Sequence, residues 1–253
     1  MNKPKLVILD LDQTLLDSPT KQLPSLKFIN TVQQIRDDII VGCATGRSYS
    51  WSLPVLQSAH FTAPCILGGG SMIVNPYTYQ ITESFYLPNY QLNKIKSILS
   101  KYPETKILFN DYKAEDYENG GWELNRLLKS ETCLLMDIIG LSHERANELI
   151  DNFNELDDVR AVKMNGYSID GVDVLVAHKE ASKTKAIERI QTQNGIERTE
   201  TIGIGNGYND LQIFDAVGTK VAVDNAVQEL KDEADIIIGD VNTDPIPKYL
   251  LSI

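Results

Sequence analysis

The sequence predicts an α/β fold, a Rossmann-like parallel-sheet core domain interrupted by an inserted α+β domain. Three observations predict it. Short apolar runs alternate with helix-length segments before residue 72 and again after Ser182. The stretch between has a different rhythm and closes on two strand-like runs in succession, which argues for antiparallel pairing. Polar clusters sit at the ends or edges of the elements in the two outer stretches. The expected core comprises residues 1–84 and 180–253, and the insert residues 85–179.

The first run, Leu6 to Leu9, is apolar throughout and leads into Asp10 and Asp12. Such a run reads as a strand buried on both faces. Its carboxylates then fall at the strand end, where open α/β sheets bind ligands. One Asp there commonly only caps a turn or helix. Two, with Thr14 just beyond, can divide into a nucleophile and a proton carrier if their environments separate them. A loop over residues 17–24 follows, then a helix with Leu26, Ile29, Val32 and Ile35 on one face. Residues 39–44 form the second strand, ending in Thr45-Gly46-Arg47-Ser48. A helix starts near Ser48, and Pro54 is expected to disturb it. Residues 63–67 form the third strand and run into Gly68-Gly69-Gly70-Ser71, where the backbone can approach a neighbour closely. Residues 72–82 alternate and suggest a hairpin.

In the insert, a helix is expected over residues 90–102, a strand over 106–109, an acidic, Gly-rich loop over 111–121 and a strand over 132–139. Ser142 reads as the N-cap of a helix reaching Asn154. Strands at 159–162 and 172–176 complete it. Trp51 reads as core. Trp122, in the loop region beside Tyr117, is a candidate for lining a pocket. His60, His143 and His178 read as structural, with His178 near the return to the core. The parallel rhythm resumes with a helix from Lys183 that stops at Gly195. A strand over residues 201–205 leads into Asn206-Gly207-Tyr208-Asn209-Asp210, and two further strands lie at 220–223 and 235–238.

Composition sets limits. A chain of 253 residues with 42% hydrophobic content has room for a substantial core. A net charge of −11 argues against non-specific nucleic-acid binding. Cys43, Cys65 and Cys133 lie in apolar stretches without metal-ligand spacing and read as free thiols in a reducing compartment. No run approaches the roughly 20 apolar residues of a membrane helix, and no signal peptide is evident. The expectation is a soluble cytoplasmic protein, monomeric or weakly dimeric, with neither nucleic acid nor membrane as partner.

Asp10 and Asp12, Thr45 and Arg47, Lys183, and Asn206, Asn209 and Asp210 would converge on one rim of a parallel sheet. That rim joins hard oxygen ligands for a cation to groups that hold an anion. This is the equipment of phosphoryl transfer, where catalysis is mostly positioning and charge neutralisation. The motifs carry a resemblance. Asp10-Leu11-Asp12-Gln13-Thr14, Thr45-Gly46-Arg47, Ser182-Lys183 and the 205–210 segment resemble, in order, the four motifs of haloacid dehalogenase superfamily phosphatases. The type is Cof, with a large (type IIB) cap inserted after the third core strand.

The resemblance implies a Mg²⁺-dependent phosphatase acting on a small phosphorylated metabolite, a sugar phosphate being one candidate. Asp10 would be the nucleophile and Asp12 the general acid and base. Thr45, Gly46, Arg47, Lys183 and Asn209 would bind the substrate, with Thr45 and Lys183 also counted as catalytic. Asp10, Asp12, Asn206 and Asp210 would serve the metal. Two departures stand out. Gln13 replaces the usual Gly, and Asn206 stands where the family has an acidic ligand, which would weaken metal binding. Two other readings remain: a phosphate-ligand-binding protein impaired by Asn206, and a sugar phosphomutase. Asn206-Gly207 is also a deamidation-prone pair that would restore a carboxylate.

Overall fold

The computed structural model describes residues 3–18, 23–166 and 171–253. Residues 19–22 of the expected first loop lie outside them. β1 (Leu6–Leu9) is buried along its whole length. Val7 and Leu9 join a cluster with Phe28, Trp51 and Leu56 on one face, while Leu6 and Ile8 join Ile187, Ile190 and Ile213 on the other. This two-sided burial is why the run lacks polar alternation. α1 (Leu26–Ile35) is capped by the Ser25 side chain and leads to β2 (Ile40–Cys43).

α2 (Tyr49–Ala59) is capped by Ser48 and runs unbroken through Pro54. Burial of Trp51, Val55, Leu56 and Ala59 holds the helix against the one hydrogen bond that proline cannot donate. The third strand departs from expectation. β3 (Cys65–Leu67) meets the main sheet only through a bridge between Ile66 and Ala44, then pairs antiparallel with β4 (Met72–Val74). Pro64 gives no N–H to a ladder, and the 68–70 turn reverses the chain after three residues. β5 (Ile81–Ser84) completes the expected hairpin.

The insert contains α3 (Asn89–Leu99), β6 (Lys106–Phe109), α4 (Ala114–Glu118), β7 (Trp122–Glu123), α5 (Leu124–Leu128), β8 (Leu135–Leu141), α6 (His143–Asn154), β9 (Val159–Asn165) and β10 (Val172–His178). Its strands form an antiparallel sheet in the order β7-β6-β8-β10-β9. Ser142 caps α6 as expected, accepting from Arg145 N–H. The acidic segment is not a plain loop. It holds the one-turn α4, too short to show a helical period, with the Asp116 carboxylate accepting from the Lys113 N–H. Val174, Val176, Met136 and Ile138 pack with α3 and α6 on one face of this sheet, and Leu175 and Ala177 point to the other.

The chain then continues through α7 (Lys183–Asn194), β11 (Thr201–Gly205), α8 (Leu211–Phe214), β12 (Thr219–Val223), α9 (Gln228–Glu233), β13 (Ile236–Ile238) and α10 (Pro245–Leu250). The core sheet is wholly parallel, in the order β13-β12-β11-β1-β2, with β1 between β11 and β2. The outgoing and returning crossings between the two sheets lie together, the Phe85 ring stacking on His178 with centroids 6.4 Å apart.

Glycines let the two sheets meet. A Cβ on Gly46 would lie 2.9 Å from Met164 Sδ, and one on Gly68 2.6 Å from Leu135 Cδ2. At Gly70 the backbone has φ +108° and a Cβ would lie 2.5 Å from the main chain of Ser182. Gly70→Ala therefore combines backbone strain with a clash no rotamer relieves. It should lose on the order of 2 kcal/mol or more, against about 1 kcal/mol for removing the α6 cap in Ser142→Ala. Paired urea denaturation of both variants checks the ranking.

Candidate active site

Asp10 leaves the end of β1, its N–H bonded to Ile204 O of β11 at 2.9 Å. Lys183 is the first residue of α7, and its Nζ lies 2.9 Å from Asp10 Oδ1 and 2.6 Å from Asp210 Oδ1. All three side chains are buried. The other Asp210 oxygen accepts the main-chain N–H groups of Asn206 and Gly207, both at 2.9 Å. Burial first, and then the Asp210 charge, push the Asp10 carboxyl up to about 8, although Lys183 pulls the other way. Burial disfavours the Lys183 ammonium, but its two carboxylate neighbours outweigh that and raise its pKa.

Asp12 is gripped by Arg47 at two points, Nε to Oδ2 at 2.9 Å and Nη2 to Oδ1 at 2.6 Å. Arg47 is buried. Thr45 is buried at the end of β2, with Oγ1 accepting from Arg47 N–H at 3.2 Å. Thr14 Oγ1 donates to Asn206 Oδ1 at 3.0 Å, joining the first motif to the fourth. Gln13 has φ +59°, the left-handed region in which glycine is least strained. That explains why a Gly is usual there.

Asp10, Asp12, Gly46, Arg47, Asn206 and Asn209 line one cavity of about 380 Å³. The insert closes its far side with Tyr117, Asp137, Met164, Asn165 and Asp173. Thr45 and Lys183 are not among its lining residues; each stands behind one that is.

A family model for haloacid dehalogenase-like hydrolases matches residues 7–250. The chain belongs to that family. This hydrolase is 22% identical to the pyridoxal phosphate phosphatase YbhA of Escherichia coli, over 98% of both chains. It is 23% identical to the phosphatase YwpJ of Bacillus subtilis, over 92% of this chain and 94% of that one. Among solved structures, BT1666 from Bacteroides thetaiotaomicron superposes with a TM-score of 0.78 at 18% identity, covering 99% of this chain and 95% of the other. The subclass IIB sugar phosphatase BT4131 gives 0.78 at 17% identity, covering 98% of each. These likenesses carry the fold: a Rossmann-like core with a Cof-type cap.

In this hydrolase the oxygen donors suit a hard cation. Asp10 could supply a carboxylate, Asp12 a main-chain carbonyl and Asn206 an amide oxygen, and Mg²⁺ is commonly held by one or two carboxylates plus substrate and water. Among the described residues no cluster of three His, Cys, Asp or Glu side chains gathers around a possible ion. The sequence places Asp210 among the residues serving the metal. Both its oxygens are committed, one to Lys183 and one to the 206–207 amides, so its work is to position them.

Several site residues escaped sequence reasoning. Asp137 and Asp173 are each buried on the cap, bonded to the Tyr112 and Tyr117 hydroxyls respectively. Their signal was present: each is a lone acid inside an apolar strand run. Trp51 lines the cavity while also packing in the core. Trp122 does not line it. Its ring packs on Phe109 at 5.4 Å and its Nε1–H donates to Asp116.

Two expectations follow. Burial pushes Asp137 up to about 8 and Asp173 up to about 6, both above the unfolded carboxylate value. The folded state thus holds protons that the unfolded state releases. The stability these groups contribute is full below pH ~4 and lost as pH rises through 6 to 8. Urea denaturation of the metal-free hydrolase should show stability falling between pH 5 and pH 8, with a shallower fall in Asp137→Asn. Deamidation at Asn206 needs the Gly207 amide nitrogen to attack the Asn206 side chain, and that N–H is buried and held by Asp210. Peptide mapping of aged, folded protein should find Asn206 intact, with conversion only after unfolding.

Proposed function

We propose that this enzyme is a phosphoric monoester hydrolase that acts on small phosphorylated metabolites through an aspartyl-phosphate on Asp10. The observation that carries the reading is the buried contact of Lys183 with Asp10, which lines a cavity together with Asp12. Asp10 attacks phosphorus in line, forming an acyl-phosphate bond as the ester P–O bond breaks. Asp12 hands a proton to the departing alkoxide. It then takes one from the water that cleaves the Asp10–phosphate bond and releases inorganic phosphate. Arg47 aims the Asp12 carboxylate for both transfers. Lys183 offsets charge on Asp10 and the phosphoryl oxygens. Thr45, Gly46 and Asn209 are assigned to holding the phosphoryl group and substrate.

When bound, Mg²⁺ would supply positive charge that lowers repulsion between nucleophile and phosphate. Asp10, the Asp12 carbonyl and Asn206 would hold it. The insert acts as a cap over the reaction, with residues 85–179 as its span. The relatives' names, pyridoxal phosphate phosphatase and sugar phosphatase among them, support small monoesters as the substrate class. A cytoplasmic setting fits the three buried free thiols; no helix among the described residues is long and apolar enough to cross a membrane.

A second reading rests on Asn206, whose amide adds no charge to the metal site: a protein that binds phosphorylated ligands with little turnover. Hydrolysis of p-nitrophenyl phosphate should rise with Mg²⁺ and fall at least roughly a thousandfold in Asp10→Asn. Asp12→Asn should cost about 10²–10⁴-fold in kcat, and Asn206→Asp should lower the Mg²⁺ concentration for half-maximal rate. Wild-type protein that binds phosphate esters but releases none, while Asn206→Asp turns over, establishes the second reading instead.

A further inference from the structure

The cap half of the cavity has acids and no bases. Among the described residues, the insert contributes Asp137, Asp173 and Asn165 to the lining, and neither Lys nor Arg. Asp137 lies on β8 opposite Leu175 of β10, and Asp173 is two residues before Leu175, so both carboxylates share the sheet face turned to the core. Arg160 of β9 shares that face but does not line the cavity, donating to Gly69 O at 3.0 Å and Ala181 O at 2.7 Å.

Two oxygens in this lining lack donors. Asp137 is only 2% exposed. Its Oδ2 accepts from the Tyr112 hydroxyl, while Oδ1 is buried with no partner. Asn165 Oδ1 is likewise buried and unpartnered. A buried acceptor left without a donor is costly, so a molecule that supplies the donor binds the more tightly for it. Asp173 is already satisfied, by the Tyr117 hydroxyl and by the Gly140 N–H at 2.9 Å, so it contributes charge more than an open bonding site.

We infer that Asp137 and Asp173 form the subsite for the alcohol portion of the substrate, selecting monoesters that carry an ammonium or hydroxyl donors there and rejecting those with a second acid. This rests on the phosphatase reading and narrows it by charge. An ammonium supplies a donor to Asp137 Oδ1 and offsets the Asp173 charge. A hydroxyl supplies the donor without the charge. A carboxylate or second phosphate supplies neither and faces two acids in a low-dielectric pocket. Asp173, pushed by burial only to about 6, is ionised at neutral pH before any ligand arrives.

The test uses full-length Asp10→Asn protein with Mg²⁺ and three six-carbon probes of similar size: glucosamine 6-phosphate, glucose 6-phosphate and 6-phosphogluconate. Calorimetry should rank affinity in that order, with the amine about tenfold or more tighter than the acid. Adding Asp137→Asn or Asp173→Asn should shrink that gap to less than about threefold, since each removes one carboxyl group and keeps the side-chain shape. Equal binding of amine and acid overturns the subsite, as does a gap that both variants leave intact. If one variant fails to fold, the other and the probe ranking decide. Wild-type release of phosphate from acetyl phosphate, whose acyl group carries no ammonium or hydroxyl, tests the phosphatase reading separately. Its failure leaves the binding ranking to judge the subsite alone.

Discussion

Lys183 between Asp10 and Asp210 is the interaction on which the site depends. Three buried ionisable groups are costly to desolvate, and the arrangement persists only because each finds a partner. Asp210 closes the circuit by taking the amides of Asn206 and Gly207 on its second oxygen. The ammonium at the start of α7 thus ties together the ends of β1 and β11. Their adjacency in the sheet brings the first and fourth motifs within reach. Removing the charge from Lys183 would leave two buried carboxylates facing each other, so its stabilising and chemical roles cannot be separated by a single substitution.

A second constraint is steric. The cap can close on the core because glycines stand where side chains would collide: Gly46 under Met164, Gly68 under Leu135, Gly69 under Leu175. The same closure brings Asp137 and Asp173 to the cavity. In the proposed function the core half of the cavity would take the phosphate, and the cap half whatever the phosphate is attached to. The polar investment on the two sides differs accordingly. On the core side, Asp12 is paired with Arg47 and Asp10 with Lys183. On the cap side, Asp137 and Asp173 rely on tyrosine hydroxyls.

Much of this was legible in one dimension. The apolar run at β1 announced a two-sided burial that Val7, Leu9, Leu6 and Ile8 display. The Ser142 and Gly195 punctuation of α6 and α7 was read correctly because capping is local chemistry. The third strand was legible as a strand but not in its partner, since pairing is non-local. Trp51 packs in the core as read, but its place in the cavity lining, and the absence of Trp122 from it, were not legible, because an aromatic residue's neighbours come from other parts of the chain.

The sequence by itself determined the order and type of the core elements, the insertion between them, and the residues Asp10, Asp12, Thr45, Lys183 and Asn206 as the candidates for chemistry. Those follow from hydrophobic period, turn chemistry and short motifs, all of which are properties of neighbours along the chain. Only the tertiary structure decided that Arg47 holds Asp12, that Asp210 is spent on Lys183 and two amides, and that two acids of the cap face the cavity. Apart from the two neighbouring amides, these are contacts between residues at least 27 positions apart or between sheets. Such contacts are set by packing, which no local pattern encodes.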